Sequence, residues 1–152
     1  MNNMTYTVQN DLQHAGMTRF GLLKFASRRL AHILHEGEHV RGVVYGRYAQ
    51  GQGLMRLNEG MLVATDRRIL FIDRKPGFEA IDELTYQIVF GVKKVYAWPF
   101  SAMTLHTRVG NYTIRYANSG CVDTFMRYVE ARQLENSEPQ IGSLSCRQQI
   151  LP

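Results

Sequence analysis

Cysteine is scarce in this sequence, and its scarcity excludes several classes of protein. The two cysteines, Cys121 and Cys146, are too few for a disulfide framework, and they lack the Cys-x-x-Cys spacing of a zinc knuckle or a redox pair. We therefore expect free thiols in a reducing compartment. Proline is also rare, with 4 in 152 residues, whereas 45% of the residues are hydrophobic. This balance is typical of one folded globular domain and not of a disordered chain.

Long apolar runs are absent as well. No stretch approaches the roughly 20 apolar residues that a membrane-spanning helix needs. The amino end, residues 1–6, does not have the basic segment followed by an apolar segment that marks a secretory signal. The expected location is cytoplasmic, and peripheral contact with the inner face of a membrane stays open.

The positive charge is not concentrated in one region. Lysine and arginine number 18 against 13 aspartates and glutamates, which gives a net charge of +5, but the excess is spread along the chain. Nucleic-acid-binding proteins more often concentrate Lys and Arg on one face or along one helix. We therefore expect no nucleic-acid partner.

Two segments have the apolar period of a helix. Residues 18–36 carry one apolar stripe, with Thr18 as the expected N-cap and Gly37 as the expected C-cap. A second helix is predicted from about 122 to 134, where apolar residues recur at i, i+3, i+4 and i+7. Residues 1–17 show no clear period and suggest a short helical turn. The polar tail, residues 136–152, is expected to be flexible.

Between these helices the period shortens to two and turn residues recur. The apolar runs 61–65 and 69–72 flank Asp66-Arg67-Arg68 and predict a tight hairpin, and the alternating runs 102–108 and 111–116 predict another. Strands at such short spacing are typical of a barrel or an orthogonal sandwich. The expected fold is mainly β (α+β): a domain at 38–135 with about seven antiparallel strands and a C-terminal capping helix, preceded by an extra N-terminal helix.

Three segments carry a resemblance to a known family. They are Leu34-His35-Glu36-Gly37-Glu38 before the first strand, the hairpin Gly60-Met61-Leu62-Val63-Ala64-Thr65-Asp66-Arg67-Arg68-Ile69-Leu70-Phe71-Ile72, and Cys121-Val122-Asp123-Thr124-Phe125 at the start of the last helix. Over about 20–134 the chain resembles the bacterial pleckstrin-homology (PH)-like domain family, which is related to GRAM domains. The resemblance implies a PH-like barrel and a binding or scaffolding role.

The same resemblance implies where an anionic lipid could bind. In PH domains that bind phosphoinositides, basic residues on the first two strands and their loop surround the head group, and the matching region here is 40–56. The Thr-Asp-Arg-Arg turn at 65–68 could add an arginine fork for phosphate. Alternatively, Asp66 accepts hydrogen bonds from backbone N–H groups of that turn while its arginines are solvated or paired with carboxylates. The candidate lipid-binding residues are Arg41, Arg47, Arg56, Arg67 and Arg68.

Motifs for catalysis or metal binding have little support. His32, His35 and His39 have a spacing at which imidazoles can share Zn²⁺, but histidines near a helix C-terminus commonly cap carbonyl groups. No serine lies in a Gly-x-Ser-x-Gly elbow. Cys121 lies near a helix N-terminus, where a thiolate is stabilised, although a partly buried thiol is the commoner outcome. We therefore expect no metal, no cofactor and no enzymatic activity.

The aromatic residues Tyr96, Trp98 and Phe100 form the candidate interface. On a strand Tyr96 and Trp98 share one face, and Pro99 favours an edge or an end of the sheet. If that face points inward, the residues are ordinary core. If it points outward, they form a contact patch, because Trp and Tyr concentrate binding energy at interfaces.

The apolar stripe of the helix at 18–36 raises a similar question. The C-terminal helix alone suffices to cap a small barrel, so we expect the N-terminal helix to pack against a neighbouring subunit. The leading hypothesis is a non-catalytic module that acts through protein contacts or self-assembly as a homo-oligomer. The second hypothesis is peripheral binding to anionic lipid.

Overall fold

A computed structural model describes residues 3–49, 57–75 and 78–137. The elements in chain order are α1 (Asn3–His14), α2 (Phe20–Ile33), β1 (Val40–Ala49), β2 (Leu57–Thr65), β3 (Ile69–Lys75), β4 (Phe78–Leu84), a 3₁₀ turn (Tyr86–Ile88), β5 (Val89–Ala97), β6 (Phe100–Thr107), β7 (Gly110–Ala117) and α3 (Ser119–Ser137). The predicted fold class, seven antiparallel strands with a C-terminal helix, is confirmed.

The strands pair in the order β4-β3-β2-β1-β7-β6-β5. Strands β1–β4 form one half and β5–β7 the other, and the halves meet where Arg47 of β1 pairs with Arg115 of β7. Their inner faces enclose a core that α3 closes with its buried residues Val122, Phe125 and Val129. The predicted role of this helix, closing an end of the barrel, matches the structure.

A second apolar layer covers the outer face of β1–β3. The stripe of α2, with Leu23, Ala26 and Leu30, is buried in one cluster with Val63 and Leu70 of the sheet. The Arg29 guanidinium also forms a 2.5 Å ion pair with Glu79 of β4. The expectation that α2 has no place on its own barrel is therefore wrong. The hydrophobic effect buries this stripe within the chain, so the stripe gives no reason for self-association.

The N-terminal elements differ from the sequence prediction in two further ways. Residues 3–14 form a three-turn helix, not a short turn, and it buries Val8 and Leu12, which lie one turn apart. Helix α2 begins at Phe20 behind Arg19, whose side chain makes no capping bond, so Thr18 is not the N-cap. Helix α2 ends at Ile33, with Leu34 as its C-cap in an extended conformation, so Gly37 is not the C-cap and lies in the following turn with φ of 70°.

The crossing between the halves of the sheet requires a glycine. A Cβ atom at Gly46 would clash with the backbone oxygen of Arg115 and lie 2.9 Å from the Ile114 side chain. Backbone cannot move away as a flexible side chain can. The close approach of β1 and β7 therefore depends on the absent side chain.

Replacing this glycine tests the crossing. We expect Gly46→Ala to lower the free energy of unfolding by about 3 kcal/mol or to prevent folding, because the new methyl group overpacks the junction. The matched control is Gly21→Ala on α2, where a Cβ meets nothing within 4 Å, and which should stabilise the chain by up to about 1 kcal/mol. Urea unfolding measures both, and equal effects would contradict this account of the junction.

Candidate functional site

The Thr-Asp-Arg-Arg turn surrounds a buried ion pair. The Glu38 side chain is fully buried and accepts hydrogen bonds of 3.0 Å from both Nε and Nη2 of Arg68. It also accepts from the Thr65 hydroxyl at 2.7 Å and from the His35 N–H at 2.9 Å. Burial alone would raise the pKa of Glu38, but these bonds and the Arg68 charge outweigh it and hold the pKa below its usual value.

The rest of this network gives each guanidinium nitrogen of Arg68 a partner. Its guanidinium pairs with Glu83 of β4 at 2.8 Å and donates to the Ile33 carbonyl at 3.2 Å. The N–H groups of Arg67 and Arg68 donate to Thr65 Oγ1, at 3.1 and 3.0 Å, whereas Asp66 accepts from His39 N–H at 3.1 Å. The structural interpretation of the turn is therefore supported, but Thr65 and not Asp66 accepts the N–H groups of the turn.

The four candidate lipid-binding arginines that the structure describes do not form one cluster. Arg68 is 11% exposed and holds two carboxylates, and Arg56 lies outside the described residues. Arg41 and Arg67 lie at one end of β1, where Val40 pairs with Thr65. Arg47 is six residues further along the strand, about 20 Å away at 3.3 Å per residue. The exposed arginines of this group are thus divided between two ends of the sheet.

His35 and His39 lie beside carboxylates, and Cys121 is buried. His39 Nδ1 lies 3.1 Å from Asp11, and His35 Nδ1 lies 3.6 Å from Glu38. Within the described ranges, no cluster of three His, Cys, Asp or Glu side chains could hold a metal. Cys121 is buried, and burial raises the pKa of its thiol, which disfavours the reactive thiolate. Cys146 lies outside the described residues.

The aromatic candidates are exposed on a hairpin at the edge of the sheet. Trp98 and Pro99 form the turn between β5 and β6, with a cis bond between them, and β5 is the last strand in the sheet order. The exposed fractions are 64% for Tyr96, 82% for Trp98 and 46% for Phe100. We call these three residues the aromatic surface. Their exposure rules out the alternative that this face packs in the core.

A cleft of about 340 Å³ adjoins the aromatic surface. It lies between the α1–α2 connection, the outer face of β1, the tip of the β5–β6 hairpin and the start of α3. Its lining includes Arg19, Leu22, Val43, Tyr45, Pro99, Phe100 and Tyr116. We call this feature the cleft.

The wall formed by Phe100 and Tyr116 is held in an unusual geometry. Their rings meet edge to face at 5.9 Å. Tyr116 has φ of 58°, in the left-handed region, which costs a residue with a side chain about 1 kcal/mol. Such strain is concentrated at functional sites. Sequence analysis did not find Arg19, Tyr45 or Tyr116, because no local motif connects segments so far apart in the chain.

These elements define a PH-like domain with two additional N-terminal helices. A sequence model of the bacterial PH domain family matches residues 34–131, and the chain belongs to that family. The family supports a binding or scaffolding module in general and is generally non-catalytic. The relationship to GRAM domains stays a prediction.

Comparisons with individual proteins add little. No curated protein matches the chain. One similar solved structure is the C-terminal domain of an unknown protein from Leishmania infantum, with 19% identity, coverage of 74% of this chain and 94% of that chain, and a TM-score of 0.41. Similarity at this level carries no argument about function. In the described part of the chain, no helix is long and apolar enough to cross a membrane.

Removing the buried carboxylate tests the network. We expect Glu38→Gln to lower the free energy of unfolding at neutral pH by about 3 kcal/mol, because Arg68 stays buried after losing its main counter-charge. The exposed neighbour Glu36 provides the matched control, and Glu36→Gln should change stability by less than about 0.5 kcal/mol. Urea unfolding compares the two variants. If both substitutions lowered the free energy of unfolding by a similar, small amount, the buried pair would not stabilise the fold.

The lowered pKa of Glu38 also predicts a pH dependence. Because the folded-state pKa lies below the unfolded value, Glu38 stabilises the fold fully above the ordinary glutamate pKa of about 4.3. That contribution is lost as the pH falls through the lower, folded-state pKa. The stability difference between the wild type and Glu38→Gln should therefore narrow below about pH 4 in urea titrations. A constant difference down to pH 2 would contradict the assignment.

Proposed function

We propose that this chain is a protein-binding module that contacts its partner through the aromatic surface. The observation that carries the proposal is the exposure of Trp98, which is 82% accessible at the tip of the β5–β6 hairpin. Tyr96 and Phe100 flank it and are also exposed. Scattered exposed apolar residues are normal, but adjacent exposed aromatics are typical of binding sites. Tryptophan and tyrosine are also enriched among the residues that dominate binding energy.

The sequence of the edge strand β5 favours a partner that contacts side chains and disfavours one that adds a strand to the sheet. Lys93 and Lys94 lie in the middle of β5, and the pairing of β5 with β6 shifts register between Val89 and Gly91. Lysines and bulges on edge strands hinder pairing with another chain. A partner is therefore expected to contact the tip of the hairpin and not to extend the sheet.

Self-assembly is one form that this protein contact could take. Deleting residues 1–36 would not test it, because the deletion removes the layer that covers the outer face of β1–β3. The exposed apolar face would itself promote association. Substitutions confined to the aromatic surface avoid this problem.

Photocrosslinking tests the proposal directly. Benzoylphenylalanine is placed at position 98, or at position 109 as a control, in chains expressed in the organism that encodes them. Val109 is a suitable control because it is 68% exposed at the tip of a different hairpin. We expect discrete protein adducts, or crosslinked dimers of the chain, from position 98 and far weaker ones from position 109.

A second pair of variants supports the assignment. Tyr96→Ser and Phe100→Ser should each reduce the adduct from position 98 by about fivefold or more, because one such anchor contributes more than about 1 kcal/mol. Circular dichroism confirms that both variants fold. Equal adducts from positions 98 and 109 would overturn the proposal.

A further inference from the structure

We propose that the cleft binds a segment of the partner protein that places a large apolar side chain beside a carboxylate. This inference rests on the proposed function, since the cleft and the aromatic surface share Phe100. It adds to that function the chemistry of the partner segment and the residue that selects it, Arg19.

The cleft is large enough to hold a large apolar side chain, and part of its wall is apolar. Its volume of about 340 Å³ is near the lower end of ligand pockets, which span about 300–1,000 Å³. Apolar residues from α2, β1, the β5–β6 hairpin and β7 form part of the wall. They are Leu22, Val43, Pro99, Phe100 and Tyr116.

The positive charge of Arg19 favours a carboxylate next to the apolar side chain of the partner segment. Arg19 lies in the lining, and its guanidinium donates a 3.4 Å hydrogen bond to the Tyr45 hydroxyl. Within residues 3–49, 57–75 and 78–137, no aspartate or glutamate lines the cleft and none forms an ion pair with Arg19. A guanidinium group binds a carboxylate through two parallel hydrogen bonds. An acidic group of the partner therefore complements the cleft.

The start of α3, which also lines the cleft, is not the anion-binding group. Asn118 Oδ1 accepts hydrogen bonds from the N–H groups of Gly120 and Cys121, at 2.9 and 3.3 Å, and the Asn118 carbonyl accepts from Val122 N–H at 3.0 Å. These donors are already used within the helix cap. Recognition of a carboxylate consequently depends on Arg19.

The rim of the cleft favours a protein segment over a free small molecule. Phe20, next to Arg19 in the chain, is 73% exposed, and Trp98, next to Pro99, is 82% exposed. Neither side chain lines the cleft, so both would stay uncovered around a ligand that fills the cleft alone. A polypeptide that continues beyond the cleft can cover them.

Two small probes that differ only in charge test the recognition. N-acetylphenylalanine carries an apolar ring and a carboxylate, and N-acetylphenylalanine amide carries the same ring without the charge. Each is titrated into the ¹⁵N-labelled full chain and followed by amide chemical shifts. We expect the acid to bind with a Kd of about 1 mM, as its size allows, and to shift the amides of Arg19, Phe100, Tyr116 and Asn118. The amide should bind at least about threefold more weakly.

Arg19→Gln should abolish the preference for the acid, and Arg28→Gln should leave it unchanged. Arg28 is a matched control because it is also exposed but does not line the cleft. Amide spectra show whether both variants fold. Arg19→Gln should also reduce the photocrosslink from position 98 by about threefold or more.

Several outcomes would overturn the inference. Equal binding of the two probes, or chemical shifts confined to other residues, would exclude recognition of a carboxylate by Arg19. Crosslinking from position 98 would still be expected, because the proposed function does not depend on that result. If the cleft amides shift with protein concentration alone, a second copy occupies the cleft. If they shift when residues 138–152 are removed, the chain's own tail occupies it.

Binding of the acid with an unchanged crosslink in Arg19→Gln would indicate a small-molecule site. Failure of the crosslink itself would instead reject the proposed function.

Discussion

The buried ion pair between Glu38 and Arg68 is the interaction on which the other elements depend. A fully buried carboxylate is tolerated only where charge and hydrogen bonds compensate for lost hydration, and here the groups of the network come from three separate segments of the chain. The α2–β1 connection supplies Glu38 and the His35 N–H, the β2–β3 turn supplies Thr65 and Arg68, and β4 supplies Glu83. Correct pairing of these charges therefore requires the N-terminal helices, the hairpin and β4 to be in register at the same time.

The layer of N-terminal helices determines which surfaces stay free. Because α1 and α2 cover the outer face of β1–β3, the central strands are buried on both sides. The β5–β6 hairpin and the connection between α1 and α2 together line the cleft. The same helices that complete the fold thus supply Arg19 and Leu22 to the candidate site. This link explains why the site lies at the junction of the added helices and the PH-like domain.

Sequence reasoning succeeded where the information is local. The hairpin at 61–72 was predicted because two apolar runs flank a polar turn, and the last helix because its apolar residues recur at helical steps. The sequence pattern did not predict helix α1 because its buried face consists of only Val8 and Leu12, which lie among mostly polar neighbours. One available indication was overlooked. The runs Met61-Leu62-Val63-Ala64 and Ile69-Leu70-Phe71-Ile72 are continuously apolar and not alternating, which is typical of strands buried on both faces.

The sequence by itself determined the kinds of element and their order, because helical and strand periods and turn residues act between near neighbours. It also determined that the domain is PH-like, since the characteristic hairpin is a contiguous motif. Only the tertiary structure decided that α2 covers its own sheet, that Arg68 is enclosed by carboxylates, and that Trp98 is exposed. It alone brought Arg19, Phe100 and Tyr116 around one cleft. These outcomes depend on register and packing between segments far apart in the chain, where burial of apolar surface and pairing of buried charges select one arrangement.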